Sequence, residues 1–281
     1  EIHERLVGSE MCIRDRLKGC HYKGGFDCVA IYLRNNPESR FFSKKGLILG
    51  GSHSPSPLNS EAHQGDLSAV LLQNLNPLVN LIRVPKKPII LMDEWESKIK
   101  AIVENTWNKD VNSLSGVPSW MLVLIKAVLK KTGREYLTDV WPNLEVFFHG
   151  GISFEPYREQ YKTLIPSDKM HYMETYNASE GFFGLQDDPT DPSLLMMPDY
   201  GIFYEFIPMN EVGNTHPTVL PLESVETGKN YAMVITTSGG LWRYQIGDTV
   251  RFTSLFPHKF VISGRTKHFI NAVSYTHLRA H

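Results

Sequence analysis

Cysteine is scarce in this chain of 281 residues: there are only three, Cys12, Cys20 and Cys28, and no pair has Cys-x-x-Cys spacing. So few thiols exclude a disulfide framework, and no matching histidine pair would complete a structural zinc site. A reducing cytoplasm is therefore the expected compartment.

An excess of either charge is also lacking. The 29 Lys and Arg against 30 Asp and Glu leave a net charge of -1, so neither nucleic acid nor an anionic membrane surface is an expected partner. The longest apolar stretch, residues 120–129, is interrupted by Lys126 and is too short to span a bilayer. Apolar residues make up 42% of the chain, which suits a globular protein with a sizeable core.

Both ends of the chain resemble translated library-adapter sequence. We therefore expect residues 1–16 and 273–281 to be non-native, and the first of these segments also lacks the apolar core of a signal peptide. Residues 17–272 would then be a fragment of one larger domain, truncated at both ends.

Hydrophobic periodicity divides this fragment into an α/β half and a β-rich half. Asp93 and Glu96 have capping-box spacing, and Ser119 is the expected cap of a buried helix that ends at Gly133. Helices are predicted at 25–33, 66–75, 93–107, 119–132 and 155–164, and strands at 47–49, 144–149, 171–175, 202–207, 231–237, 244–252 and 260–263. These elements predict one α/β domain with a parallel-sheet part and a β-rich, barrel-like or sandwich part.

The run Tyr176-Asn177-Ala178-Ser179-Glu180-Gly181 follows a predicted strand. Ser179 could donate to a phosphate oxygen, and Glu180 could face a phosphate only through a bridging Mg²⁺. Tyr176 offers a flat face for a base. Taken alone, an ordinary strand corner with a solvated glutamate explains this run better.

The run Arg243-Tyr244-Gln245-Ile246-Gly247-Asp248 continues a predicted hairpin whose turn is Gly239-Gly240. A carboxylate held at Asp248 could accept both hydroxyls of a ribose, with hydrogen bonds worth roughly 1.5–3 kcal/mol each. Because Gly and Asp both favour turns, a simple turn explains the run better when it is taken alone.

Two further glycine segments follow predicted strands. Gly150-Gly151 could bring backbone close to a flat ligand, although no Gly-Lys-Ser/Thr follows as in a phosphate loop. A turn between a strand and a helix, with no ligand, explains this segment equally well. Gly264-Arg265 could reach a nucleotide, but a solvated surface cation is the simpler account.

Four loops follow one another along the chain: Gly150-Gly151, 176–181, 244–248 and Gly264-Arg265. In that order they resemble the loops of adenylate-forming enzymes. Within that superfamily the chain is most similar to the auxin-responsive Gretchen Hagen family of acyl acid amido synthetases. Residues 46–52 and 116–120 carry the resemblance beyond the loops, and it extends over nearly all of 17–272. The fold implied is the large N-terminal domain of an adenylate-forming enzyme. The activity implied is ATP- and Mg²⁺-dependent conversion of a carboxylic acid into an acyl-adenylate, which the amine of an amino acid then attacks to give an amide and AMP.

The resemblance also implies roles for individual residues. Tyr176 would stack on adenine beside Gly150 and Gly151, while Asp248 would bind the ribose with help from Arg265. The α-phosphate would contact Ser179, Mg²⁺ would be held by Glu180, and the acyl pocket would use Val117, Trp120 and Phe182.

Three departures from the family pattern bear on activity. The phosphate loop expected upstream of Leu17 and the C-terminal domain expected after Lys267, with its catalytic lysine, are both missing, and Gln245 stands where arginine is frequent. We therefore expect this chain to be inactive alone. Two alternatives stay open: a ligase that forms a coenzyme A thioester, and a non-catalytic domain that binds small molecules or proteins.

Overall fold

A computed structural model describes residues 17–55, 63–77 and 79–266. The two ends predicted to be non-native, 1–16 and 273–281, lie outside these ranges. No helix in the described ranges is long and apolar enough to cross a membrane.

Fourteen strands and eight α-helices make up the described part of the chain. The strands are β1 (Lys45–Leu49), β2 (His53–Pro55), β3 (His63–Gly65), β4 (Arg83–Val84), β5 (Val111–Gly116), β6 (Val146–Gly150), β7 (His171–Ala178), β8 (Gly181–Leu185), β9 (Leu194–Met196), β10 (Ile202–Pro208), β11 (Leu220–Pro221), β12 (Asn230–Thr237), β13 (Tyr244–Leu255) and β14 (His258–Arg265). The helices are α1 (Lys23–Asn35), α2 (Leu67–Gln73), α3 (Val79–Ile82), α4 (Lys87–Ile90), α5 (Trp95–Thr106), α6 (Pro118–Thr132), α7 (Leu137–Val140) and α8 (Arg158–Leu164), and a π-helical segment, Leu17–Tyr22, precedes α1.

Twelve of the strands form one sheet in the order β11-β10-β12-β13-β14-β9-β8-β7-β6-β5-β1-β4. The pairs from β4 to β7 are parallel, and those from β7 to β11 are antiparallel. The prediction of an α/β fold with a parallel part and a β-rich part is therefore confirmed. In the parallel part, β1, β5, β6 and β7 end at one edge of the sheet, where the loops can converge.

The antiparallel part curls around a core of its own. Phe183 on β8 and Tyr204 on β10 stand five places apart in the sheet, yet their ring centroids are 6.3 Å apart. A Cβ added at Gly181 on β8 would lie 2.5 Å from Ile202 Cδ1 on β10. Strands β8 and β10 thus approach each other across the core, as expected for a barrel-like sheet.

The buried helix α6 was predicted correctly except at its first turn. It ends where Gly133 adopts φ +65°, in the left-handed region. Its N-cap is Val117, and Pro118 occupies the first helical position, so the predicted Ser119 cap is wrong. Proline fits there because that N–H has no partner within the helix.

Helix α5 also starts one residue away from the predicted cap. The carboxylate of Glu94, and not that of Asp93, accepts hydrogen bonds from the backbone N–H groups of Glu96 and Ser97, at 2.9 and 2.6 Å. These bonds satisfy two of the free donors at the start of the helix.

Candidate functional site

The Ser179–Glu180 pair forms the tip of the β7–β8 hairpin, with Ala178 and Gly181 paired across it. Ser179 is exposed and Glu180 is half-buried. Because a side chain at 181 would collide with Ile202, the glycine there serves packing. The corner therefore presents a hydroxyl and a carboxylate to solvent at the edge where the parallel strands end.

Asp248 lies on a bulge inside β13, not on the simple turn that was the alternative. Ala232 pairs with Thr249 and Val234 with Gln245, so β13 has extra residues opposite a short stretch of β12. Gly247 takes φ +87° within the bulge, and its carbonyl accepts the Thr266 N–H at 2.9 Å. Bulges of this kind redirect side chains out of the strand's regular alternation.

Two donors hold the Asp248 carboxylate. The hydroxyl of Tyr176 donates to Oδ2 at 2.5 Å, and Arg265 Nε donates to Oδ1 at 3.0 Å. Asp248 and Arg265 are also direct partners in the β13–β14 ladder. The structure thus brings together three residues predicted for nucleotide binding, from three strands.

Electrostatic effects place Glu180 in the same neighbourhood. Burial raises the pKa of Tyr176 well above its ordinary value, and the charges of Asp248 and Glu180 raise it further while Arg265 lowers it. Burial and the Glu180 charge also raise the pKa of Tyr244, whereas Arg265 lowers it. The Glu180 charge therefore acts on the same two tyrosines as Arg265.

The ring of Tyr176 is largely covered. Only 7% of the residue is exposed, and the ring packs on Phe183 and Phe260 with centroids 4.9 and 6.2 Å away. The Tyr176 hydroxyl reaches the site and donates to Asp248, whereas the faces of the ring are mostly covered by core residues. The stacking of this ring on adenine stays a prediction.

Gly150 is the last residue of β6, where it pairs with Thr175 of β7 next to Tyr176, and Gly151 follows it. A Cβ at Gly150 would lie 2.3 Å from the backbone oxygen of Thr175 on β7, so only glycine fits. Gly151 has φ +83°, and a Cβ there would lie 3.5 Å from Val117 Cγ2. The predicted acyl-pocket residue Val117 is therefore next to the double glycine.

The other two predicted acyl-pocket residues are not brought together. Trp120 packs edge-on against Trp95 at 5.7 Å and adjoins the core under the parallel part. Phe182 is 3% exposed in the antiparallel core, where its ring is 2.5 Å from the place of a Cβ on Gly24. Phe182 is a core residue because strand β8 is buried along its whole length.

Sequence reasoning missed the contact of the π-helical segment with the hairpin. His21 Nδ1 hydrogen-bonds Asn177 Oδ1 at 2.8 Å, and the Phe182 N–H donates to Cys20 Sγ at 3.0 Å. These contacts brace β7 and β8 just before the Ser179–Glu180 tip. No local pattern predicts them, because the partners are more than 150 residues apart in sequence.

The lone carboxylate of Glu180 fits a particular kind of magnesium site. Within the described ranges, no three His, Cys, Asp or Glu side chains form a metal-binding group. Mg²⁺ commonly takes one or two protein carboxylates and completes its shell with substrate phosphates and water. The donor set at the hairpin tip suits that mode.

The pockets found elsewhere do not include the predicted site residues. One, of about 390 Å³, is lined by residues such as His149, Arg158 and Glu174, and the other, of about 650 Å³, lies around Trp107 and Asn143.

A buried lysine, also missed from sequence, secures the turn after β1. Lys98 is 2% exposed and donates to the carbonyls of Gly50 and Gly51 at 2.7 and 2.9 Å. Burial lowers the pKa of Lys98 to about 8, although the nearby Asp66 charge opposes the shift. Burial thus disfavours the charged amine in the folded state.

This shift predicts a rise in stability with pH. Between the folded pKa of about 8 and the higher unfolded value, the unfolded chain binds more protons at Lys98. The free energy of unfolding should therefore increase by about 1 kcal/mol from pH 8 to pH 9. Urea unfolding across this range measures it.

Lys98→Met should lower stability and abolish this pH dependence, whereas Lys100→Met, on the exposed side of α5, should preserve it. An unchanged slope in the Lys98 variant would contradict the assignment. The range stops at pH 9 because burial raises the pKa of Cys28 to about 12, which acts in the opposite sense at higher pH.

Solved structures of two kinds of ligase share the fold of this chain. A 2-hydroxyisobutyryl-CoA ligase structure with 2-HIB-AMP and CoA aligns with a TM-score of 0.53 and 13% identity, covering 79% of this chain and 45% of that chain. The acyl acid amido synthetase AtGH3.15 in complex with 2,4-DB aligns with a TM-score of 0.67 and 16% identity, covering 88% of this chain and 52% of that chain.

The chain belongs to the GH3 family. The GH3 family N-terminal domain matches residues 8–170, and the GH3 family central domain matches residues 195–265. The indole-3-acetic acid-amido synthetase GH3.4 of Arabidopsis thaliana is 30% identical over 170 residues, which are 57% of this chain and 27% of that protein. The match therefore spans about a quarter of that relative's length.

Proposed function

We propose that this chain carries most of the acid- and nucleotide-binding part of an acyl acid amido synthetase. The reaction would join ATP and a carboxylic acid into an acyl-adenylate with release of pyrophosphate, and an amino acid would then form the amide. The observation that supports this most is the convergence of Tyr176, Glu180, Asp248 and Arg265 at the edge where the parallel strands end.

The nucleotide would be held by groups that the strands position in advance. Asp248 would accept the ribose hydroxyls, with Arg265 beside it, and the backbone at Gly150 and Gly151 would line the adenine. Fixed donors and acceptors of this kind need no reorganisation when the substrate arrives.

The phosphates would lie over the hairpin tip. The exposed hydroxyl of Ser179 would donate to the α-phosphate, and Glu180 would hold the magnesium ion. When bound there, the ion would neutralise charge on the phosphates. Ser179 and Glu180 would keep the α-phosphate aligned for attack by the acid's carboxylate.

The acid would lie beside the double glycine, where a Cβ added at Gly151 would be 3.5 Å from Val117 Cγ2. Trp120 follows on the first turn of α6 and could line a wider pocket. A small-molecule acid and an amino acid are thus the proposed partners, and the buried thiols of Cys20 and Cys28 suit a reducing cytoplasm.

Two alternative functions would give different results in binding and product assays. A thioester-forming ligase would share the adenylation step and use coenzyme A as acceptor, in keeping with a fold that such a ligase also has. A non-catalytic binding domain would have no affinity for ATP.

A pyrophosphate-release assay with ATP, Mg²⁺ and a panel of carboxylic acids tests the proposal. Because the matches span 27% of one relative and 52% of another, we expect turnover only from a polypeptide extended to the relatives' length. Offering amino acids or coenzyme A and identifying the product by mass decides the acceptor. Turnover by the 281-residue chain alone would contradict the expected inactivity, and an extended polypeptide that never releases pyrophosphate would refute the function.

A further inference from the structure

The Asp248 carboxylate is positioned with one donor on each of its oxygens. Tyr176 donates to Oδ2 and Arg265 to Oδ1, and the side chain stays 19% exposed. A carboxylate offers about four acceptor positions in all. Each oxygen therefore retains room for one more donor, which matches the two neighbouring hydroxyls of a ribose.

The two donors differ in how firmly they hold the carboxylate. The Arg265 side chain is 48% exposed, and ion pairs of that kind are weak and easily rearranged. Tyr176 is 7% exposed and locked against Phe183 and Phe260. The orientation of the carboxylate is thus set mainly by the tyrosine hydroxyl.

Asp248 needs such a partner because its own backbone is irregular. It follows Gly247 at φ +87° on the β13 bulge, where the ladder with β12 is interrupted. A donor from β7 ties this bulge to the strand that also carries the Ser179–Glu180 tip. The orientation of the ribose and the position of the phosphates are thereby linked through one strand.

We propose that the Tyr176 hydroxyl is a positioning residue that makes the site selective for a nucleotide with a ribose diol. The hydroxyl acts through Asp248. This role adds a specificity determinant to the proposed function and depends on that function being correct. This role differs from stacking of the Tyr176 ring on adenine, which would depend on the ring and not on the hydroxyl.

Tyr176→Phe separates the two roles, because it removes the hydroxyl and keeps the ring. Binding of ATP and of 2′,3′-dideoxyATP to the 281-residue chain is measured by titration calorimetry. We expect the variant to bind ATP about tenfold more weakly, the loss typical of one hydrogen bond to a charged group. Dideoxy-ATP should bind both proteins equally, since it lacks the diol that Asp248 receives.

Tyr204→Phe is the matched control. Tyr204 is a buried tyrosine of the same core whose hydroxyl donates to the Met197 carbonyl at 3.3 Å, away from Asp248. It should lose some stability and keep the wild-type preference for ATP over dideoxy-ATP. A structural effect of deleting any core hydroxyl would move both variants alike.

The possible results test the positioning role of Tyr176 separately from the proposed function. If the wild type binds ATP and Tyr176→Phe keeps the full preference for the diol, the positioning role is wrong and the nucleotide site stands. If Tyr176→Phe weakens both nucleotides equally, the hydroxyl does not act through Asp248 and the role is also wrong. If the wild type binds no ATP at millimolar concentration, the proposed function itself fails and the inference fails with it.

Discussion

Asp248→Ala should weaken the binding of ATP to this chain by one to two powers of ten. The substitution removes the carboxylate that accepts from Tyr176 and Arg265, and with it the charge-assisted hydrogen bonds that we propose for the ribose hydroxyls. A net loss of roughly 1.5–3 kcal/mol, the value of one hydrogen bond to a charged group, corresponds to about one to two powers of ten, since about 1.4 kcal/mol is tenfold in affinity. Titration calorimetry with Mg²⁺-ATP measures the change.

Two controls accompany this variant. Asp168→Ala removes an exposed carboxylate away from the site and should leave ATP affinity unchanged. Asp248→Asn keeps an acceptor for the buried Tyr176 hydroxyl, which separates lost binding from lost stability. Equal ATP affinity in the wild type and Asp248→Ala would favour the non-catalytic binding domain.

Gly150→Ala should cause the largest loss of stability among single-methyl additions to the site. The new Cβ would be 2.3 Å from the Thr175 carbonyl oxygen, a backbone atom that cannot turn aside. Overpacking typically costs 1–3 kcal/mol, and we expect the upper end, about 3 kcal/mol, because strands β6 and β7 must separate. Urea unfolding of the variant measures the loss.

Gly25→Ala is the matched control for this substitution. Gly25 lies on the exposed side of α1 with no atom within 4 Å of an added Cβ. Alanine there should stabilise the protein by about 0.4–1 kcal/mol through the unfolded state. If Gly150→Ala proves equally harmless, the contact between β6 and β7 is looser than the structure indicates.

The elements that sequence patterns predicted best are those with strong local signals. Helix α6 has a dense apolar repeat, a proline at its start and a glycine at its end, and each signal acts within a few residues. The β12–β13 hairpin likewise has apolar strands on both sides of a Gly-Gly turn.

Strand β5 was missed because its sequence, Val111–Gly116, carries polar residues at buried positions. Asn112 is 1% exposed and donates to Glu145 Oε1 and to the carbonyl of Arg40. Ser113 is 3% exposed in the middle of the sheet. Burial of these groups depends on partners far along the chain, which no hydrophobic pattern reports.

Strand β8 was missed for the opposite reason. Its five residues, Gly181–Leu185, are all buried and include two glycines, so they show neither alternation nor high β-propensity at every position. The family resemblance had placed Phe182, on this strand, in the acyl pocket. The ring instead packs against Gly24 of α1.

The amino-acid sequence alone determined the family, the mixed α/β class and the residue types available at the loops, because these depend on local composition and on the order of motifs along the chain. Only the tertiary structure decided that the Tyr176 hydroxyl faces Asp248, that Phe182 turns inward and that Lys98 holds the Gly50-Gly51 turn. The physical reason is that strand register, bulges and the curvature of the antiparallel half choose which side chains meet. Each of these arises from contacts between segments far apart in sequence.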